Sequence, residues 1–312
     1  MLSDWQIDAC RNLAELAPSG NRDGMPNWIY PCQCTIRESN PMSKSLSKLL
    51  INGVKLLTLP MKPYRRANTR SLVSEGLVQR LSMAVPGGHL DFESTTARSL
   101  HDANSITHGE PETVRWIDQL PEGSVLWDIG ANIGVYSLYA AYVRNIRVAA
   151  FEPGAASHAA LCRNIEINKL NDKIQPYCIA LSDQIGADYL YMADTGAGHS
   201  MHGFGQARSV QGAIDYNFRQ SVIGYTIDGV LEAFRLPPPD YIKLDVDGIE
   251  AKIIKGGGET LGRYVKSIIV EADQPPERIE AGEINKLLDG FGFRLRPGGG
   301  IKVRNLIFDK QA

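Results

Sequence analysis

The rhythm of hydrophobic and polar positions changes near Glu110. Beyond it, short apolar runs alternate with stretches in which apolar residues recur every three or four positions, as strands alternating with amphipathic helices do. A helix over 112–120 carries Val114, Ile117 and Leu120 on one face and stops at Pro121-Glu-Gly123. Strands over 124–129, 147–152 and about 174–181 follow, separated by helices over 133–143 and 155–168. A strand at 189–192, a Gly- and His-rich loop at 194–213, a strand at 222–226 and a helix from about Ile227 come next. Then come a strand over 241–246, a helix over 248–256, a strand over 267–271 and a helix over 280–290. Two short strands, near 291–296 and 301–308, flank Pro297-Gly-Gly-Gly300. This alternation predicts an α/β fold with a doubly wound, mostly parallel sheet, whose ligands gather at the C-terminal ends of the strands.

The first hundred residues read differently. Residues 3–17 suit a short amphipathic helix ended by Pro18-Ser-Gly20, and 18–42 suit irregular loop. Leu46 to Leu59 fits either a helix or, through Asn52-Gly53, a hairpin. Val78–Val85 and His89–Phe92 around Pro86-Gly-Gly88 read as a hairpin. The expected organisation is an N-terminal α+β extension over 1–105 and a catalytic domain over 106–312.

The most specific chemistry lies in Val125-Leu-Trp-Asp-Ile-Gly-Ala-Asn-Ile-Gly134. An apolar strand ends at Gly130, and Gly134 opens a helix, an arrangement that offers backbone N–H groups to an anion. About twenty residues on, Val148-Ala-Ala-Phe-Glu152 ends a second strand in a carboxylate suited to the two hydroxyls of a ribose. Asn132 stands where a dinucleotide fingerprint needs its second glycine, and so obstructs a pyrophosphate. Asp128 in the same turn would attract an ammonium group. An amino-acid head joined to a ribose describes S-adenosyl-L-methionine better than NAD.

Four segments occur in order: Asp128-Ile-Gly-Ala-Asn-Ile-Gly134, Phe151-Glu-Pro153, Ala180-Leu-Ser-Asp183 and Ile242-Lys-Leu-Asp-Val-Asp-Gly-Ile-Glu250. Over roughly 105–275 the chain resembles the FkbM family of S-adenosylmethionine-dependent methyltransferases, and the Lys243–Glu250 block is the part that points to this family. The family usually has Glu where Asp247 stands. The resemblance implies a seven-stranded Rossmann-like methyltransferase sheet with an antiparallel edge. It also implies methylation of a hydroxyl on a small molecule or glycan. An NAD(P)-dependent oxidoreductase and a non-catalytic cofactor-binding module are the alternatives.

Composition narrows the setting. With 312 residues, 43% of them hydrophobic, the chain can bury one large α/β core plus an extension. A net charge of −2 argues against a nucleic-acid partner, and Lys62-Pro-Tyr-Arg-Arg66 with Arg70 reads as solvated surface. Five cysteines without a Cys-x-x-Cys pair suggest reduced thiols and no zinc site. The absence of a signal-like start and of a run of ~20 apolar residues points to a cytoplasmic protein without a membrane partner.

Site candidates follow. Gly130, Asn132 and Gly134 would cradle the methionine carboxylate, with Asn132 also capping the helix; Asp128 would hold the ammonium group, directly or through water; Glu152 would hold the ribose. By analogy with related enzymes, Ser182 and Asp183 would meet the adenine amino group. Lys243, Asp245 and Asp247 fall on alternate strand positions and project to one side. Asp245 is the first candidate for the base that deprotonates the acceptor hydroxyl; His199, in a loop able to close over the site, is the second. Glu271, at a strand end, would also face the cleft, and Glu250 suits a helix N-terminus. No resident metal is expected.

Overall fold

The computed structural model describes residues 41–106, 109–200, 202–209, 212–213, 215–271, 279–297 and 305–311. The chain divides into two compact units, Met1–Val78 and Gln79–Ala312. The helix expected over 3–17 and the loop expected over 18–42 lie outside the described residues, except that Pro41 and Met42, expected in that loop, open the first helix.

The first unit contributes two helices, α1 (Pro41–Leu57) and α2 (Pro63–Gly76). The ambiguity at Asn52-Gly53 resolves as one continuous helix. A side-chain staple fixes the corner after it. Arg70 donates to the Thr58 hydroxyl (Nε–Oγ1 2.8 Å) and to the Lys55 carbonyl (3.1 Å), and Arg66 donates to the Met61 carbonyl (3.2 Å). A cation on the Lys55 carbonyl, in the last turn of α1, suits the negative end of that helix's dipole.

In the second unit, β1 (Gln79–Val85) and β2 (Gly88–Ser94) form the expected antiparallel hairpin. Helices α3 (Ala97–Ser105) and α4 (Pro111–Asp118) lead to β3 (Val125–Ile129), α5 (Val135–Val143), β4 (Arg147–Phe151), α6 (Ala155–Ile167) and β5 (Ile174–Tyr177). Then come β6 (Ala180–Leu181), β7 (Gly186–Met192), β8 (Gly203–Phe204), β9 (Arg208–Ser209), β10 (Gly212–Ala213) and β11 (Phe218–Tyr225). Helix α7 (Ile227–Phe234), β12 (Tyr241–Leu244), α8 (Glu250–Lys255), α9 (Gly258–Arg263), β13 (Ser267–Glu271), α10 (Ile279–Gly290), β14 (Phe293–Leu295) and β15 (Asn305–Lys310) complete it.

The large sheet runs β14-β15-β13-β12-β3-β4-β5. From β13 to β5 every pairing is parallel, and β15 is antiparallel to both its neighbours. Strand order reverses between β3 and β12, and that switch point opens a crevice beyond the strand ends. Both faces are covered, so the central strands are apolar on both sides. Val125, Trp127, Ile129, Ile242 and Leu244 belong to one core, and Leu126, Val148 and Ile269 to the other.

Three departures from the sequence pattern have physical reasons. The strand expected over 174–181 splits: β5 stays on the large sheet's edge, where Pro176 needs no N–H partner, and β6 pairs with β11 in a second sheet, β6-β11-β7-β8. The strand expected over 241–246 stops at Leu244, because the chain reverses through Asp247 (φ 65°) and Gly248 (φ 121°). The hairpin groups with the large sheet rather than with the first unit. Asn164 of α6 and Asn168 just after it accept from the Glu93 and Asp91 N–H groups (both 2.9 Å), tying β2 to the sheet's flank.

Candidate active site

A cavity of about 300 Å³ opens at the ends of β3, β4, β12 and β13, with Gly130, Glu152, Asp245 and Glu271 in its wall. Its floor is the turn between β3 and α5. Gly130 has φ +84°, and a Cβ there would fall 1.7 Å from the Asp245 carbonyl oxygen. Gly134 has φ +90°, and a Cβ there would meet Leu161 Cδ1 at 2.5 Å. Both glycines are therefore demanded by the protein's own packing as well as by φ. The turn also spends its first N–H groups internally. Gly130 and Ala131 donate to the Phe151 carbonyl (2.9 and 3.0 Å), and Asn132 donates to Glu152 Oε2 (2.8 Å). These three N–H groups point at β4, not at an incoming anion as the sequence pattern suggested.

Asn132 does not cap α5, whose N-cap is Gly134 and carries no side-chain acceptor. Asn132 is held at φ 49°: its Nδ2 donates to Asp102 Oδ2 (3.3 Å) and lies 3.5 Å from the Gly198 carbonyl, while its buried Oδ1 has no hydrogen-bond partner among the described residues.

Glu152 caps β4 as expected and lines the cavity. Its Oε1 accepts from the Gly154 N–H (2.7 Å) and its Oε2 from the Asn132 N–H. Burial pushes its carboxyl up to about 7; the two N–H donors oppose that shift, and Asp128 and Asp247 add to it.

Behind the turn lies a buried charge cluster. Parallel pairing sets Lys243 beside Asp128. The Lys243 ammonium lies 2.7 Å from Asp245 Oδ2, 3.9 Å from Asp128 Oδ1 and 5.1 Å from the Tyr136 ring centre. Desolvation works against its charge, but Asp245, Asp128 and Glu110 together hold its pKa above the ordinary lysine value. Asp128 is 1% exposed, accepts from the Ser137 hydroxyl (2.5 Å) and is pushed up by burial against the pull of Lys243. It is not among the cavity-lining residues. At 1% exposure Asp128 is not placed for direct contact with a ligand ammonium, one of the two expectations; its charge faces Lys243 at 3.9 Å instead.

Two residues without a sequence signal join this end. Glu110 accepts from the Thr113 hydroxyl (2.9 Å) and from Asn305 Nδ2 (3.0 Å), and burial raises its carboxyl despite Lys243. Tyr136 shares the wall, its phenol raised by burial and by Glu110 and Asp245. Glu271 faces the cavity, as expected from its strand end.

Asp247 lines the cavity too, but from the turn after β12 and not from the strand. That turn is held by Glu250, whose Oε1 accepts from the Val246 and Gly248 N–H groups (both 3.2 Å). Glu250 thus shapes the backbone around Asp247 in addition to opening α8.

A loop over 193–200 covers the turn. The Thr96 hydroxyl donates to the Ala197 carbonyl (2.7 Å), Arg98 Nη2 to Ser200 Oγ (3.2 Å) and the Gly198 N–H to Ser157 Oγ (3.2 Å). Gly198 has φ +84°, and a Cβ there would meet the Ser99 backbone nitrogen at 2.7 Å. This loop brings His199 to the cavity wall, with Nε2 3.6 Å from Asp194 Oδ1. His202 also lines the wall; burial, then His199, pushes its pKa down to about 4. Asp102 faces Asn132 and pairs with Arg98 (3.2 Å).

Ser182 and Asp183 do not reach the cavity. The Ser182 N–H joins the Tyr225 carbonyl (2.8 Å), and its hydroxyl donates to Asp183 (3.2 Å). Their segment contributes Ile179, Ala180 and Leu181 instead, which with Phe151, Leu190 and Phe204 form an apolar slot beside Glu152.

The Methyltransferase FkbM domain family matches residues 128–295. Among characterised proteins, the chain is 27% identical over 181 residues to hexuronic acid methyltransferase AglP of Haloferax volcanii, covering 58% of this chain and 68% of that protein. It is 25% identical over 199 residues to methyltransferase sdnD of Sordaria araneosa, covering 57% and 76%. Among solved structures, a methyltransferase FkbM from Methylobacillus flagellatus KT superposes with a TM-score of 0.43 at 13% identity, over 61% of this chain and 44% of that one. The family match sets aside the dinucleotide oxidoreductase alternative and covers the β3 turn, Glu152 and the Lys243–Glu250 block: the chain belongs to the FkbM family of methyltransferases.

Proposed function

We propose that the chain methylates a hydroxyl of a small molecule or glycan, with S-adenosylmethionine as donor. The observation that carries this reading is Glu152: a carboxylate at the end of β4, fixed by two backbone N–H groups, that still faces the cavity. It would accept from the ribose hydroxyls. The apolar slot beside it would take the flat adenine, and the unpartnered Asn132 Oδ1 would accept from the ammonium group. These residues fit the donor. When bound, S-adenosylmethionine supplies a methyl carbon made electrophilic by its sulfonium.

The protein's own share is positioning and proton removal. Asp245 and Glu110 flank Lys243 at the other end of the cavity, where an acceptor hydroxyl would donate its proton to one of them. Burial raises the Glu110 carboxyl against the pull of Lys243, which favours its taking up a proton. Lys243 stays protonated and orients Asp245. His199 would close the rim. A relative named for hexuronic acid supports a sugar-like acceptor.

Calorimetric titration with S-adenosylmethionine tests the donor. Binding by the native chain and at least about a hundredfold weaker binding by Glu152→Ala are expected; equal affinity would refute the assignment. Asp245→Asn and Glu110→Gln should each retain donor binding, and the one that loses turnover identifies the base.

A further inference from the structure

The two helices of the first unit carry a surface that donor binding and methyl transfer leave without a role. In α1, Lys44, Lys48 and Lys55 recur at spacings of four and seven and form one stripe. Leu46, Leu49, Leu50, Leu56 and Leu57 fall on the opposite arc, and all five are 55–79% exposed. Past the corner, Lys62, Arg65, Arg66 and Arg70 add four more cations, and Glu75 is the one acidic residue between 41 and 78. Seven cations against one acid make this stretch locally basic in a chain whose net charge is −2.

We infer that α1 docks on an anionic phospholipid surface, lying in the interface with its leucine arc in the acyl boundary. A strongly amphipathic helix with a lysine-rich polar face and leucines opposite is the composition such surfaces recruit. Its 17 residues are short of the ~20 that span a bilayer, and three lysines forbid burial across one. A helix is about 10–12 Å across, so the lysine stripe stays near one Debye length of the headgroups and still feels their charge. The Arg70–Thr58 staple ties α2 to the corner after α1. A lipid partner at this face departs from the expectation of no membrane partner and of a merely solvated Lys62–Arg70.

The test is co-sedimentation of the full chain with vesicles of equal parts phosphatidylglycerol and phosphatidylcholine, against phosphatidylcholine alone. Binding is expected to the anionic vesicles, at least about tenfold weaker to the neutral ones, and to fall with added salt. Reversing Lys44, Lys48 and Lys55 to Glu should weaken it about a hundredfold or more, at roughly fivefold per cation. Leu49→Ser with Leu56→Ser should abolish it, while calorimetric donor binding stays unchanged. No sedimentation of the native chain, which is also the outcome if residues 1–40 cover the leucines, overturns the proposal. So does a doubled mass in light scattering that the leucine variants reverse, because a second copy then owns this face.

Discussion

Gly130 lies so close under Asp245 that a Cβ on the first would sit 1.7 Å from the carbonyl oxygen of the second. Two strand tips, β3 and β12, meet there with no room for a side chain. Gly130→Ala should therefore cost about 3 kcal/mol or more, from both the φ of +84° and the forced separation of the strands. Gly262, in α9 with open space around it, is the matched control, and Ala there should stabilise by up to about 1 kcal/mol. Urea denaturation of the two variants reads both signs. Equal midpoints would show that the strand tips separate freely.

Glu152 makes the ligand-free protein pH-sensitive. Its carboxyl rises from 4.5 in the open chain to about 7 when folded. The unfolded state therefore loses its proton first as pH rises. The resulting loss of stability begins near pH 4.5 and is complete above 7, at about 3 kcal/mol. Glu152→Gln removes this slope, so the native protein should lose more thermal stability than the variant between about pH 5 and about pH 8. Parallel slopes would reject the assignment.

Donor binding should show the opposite trend. Ribose hydroxyls donate to the ionised carboxylate, so affinity should rise with pH through about 7. Calorimetry in two buffers of different ionisation enthalpy should detect a proton released on binding below that pH. A titration insensitive to buffer would mean that Glu152 is already ionised.

Lys243→Met leaves Asp128, Asp245 and Glu110 near one another without their shared cation. Breaking a buried ion cluster from one side costs on the order of 3–5 kcal/mol. A drop in denaturation midpoint of that size is expected, and a stable, fully active variant would relieve Lys243 of any role.

The loop over 193–200 should be separable from the fold. Gly198→Ala drives a Cβ into Ser99 without touching the sheet core. Faster amide exchange over 193–200, with the global unfolding midpoint held within about 1 kcal/mol, is the expected signature. Protection equal to that of the native loop would mean the latch does not depend on this contact.

Much of the fold is legible in the periodicity of the chain because β3, β4, β12 and β13 are buried on both faces, which leaves apolar runs that polar turns interrupt cleanly. The motif residues Gly130, Asn132, Glu152, Asp245 and Asp247 do converge on one cavity. Glu110 and Asp102 were not legible: each reaches the cavity by tertiary packing, from a helix-flanking or helical position that looks like ordinary surface. Ser182 and Asp183 misled for a related reason. The strand expected to carry them breaks at β5, and a two-residue strand in another sheet ties the Ser182 N–H to the Tyr225 carbonyl. Asp128 is legible as a charge inside the glycine turn. Only the registered pairing with Lys243 shows that its partner lies within the sheet.

One carboxylate holds the Asn132 amide and would hold the donor's sugar as well. The floor of the pocket and its grip on the ligand are thus a single mechanical part, assembled before anything arrives. Removing that part both slackens the glycine turn and deletes a contact, so the affinity lost on truncating Glu152 will exceed what two hydrogen bonds are worth.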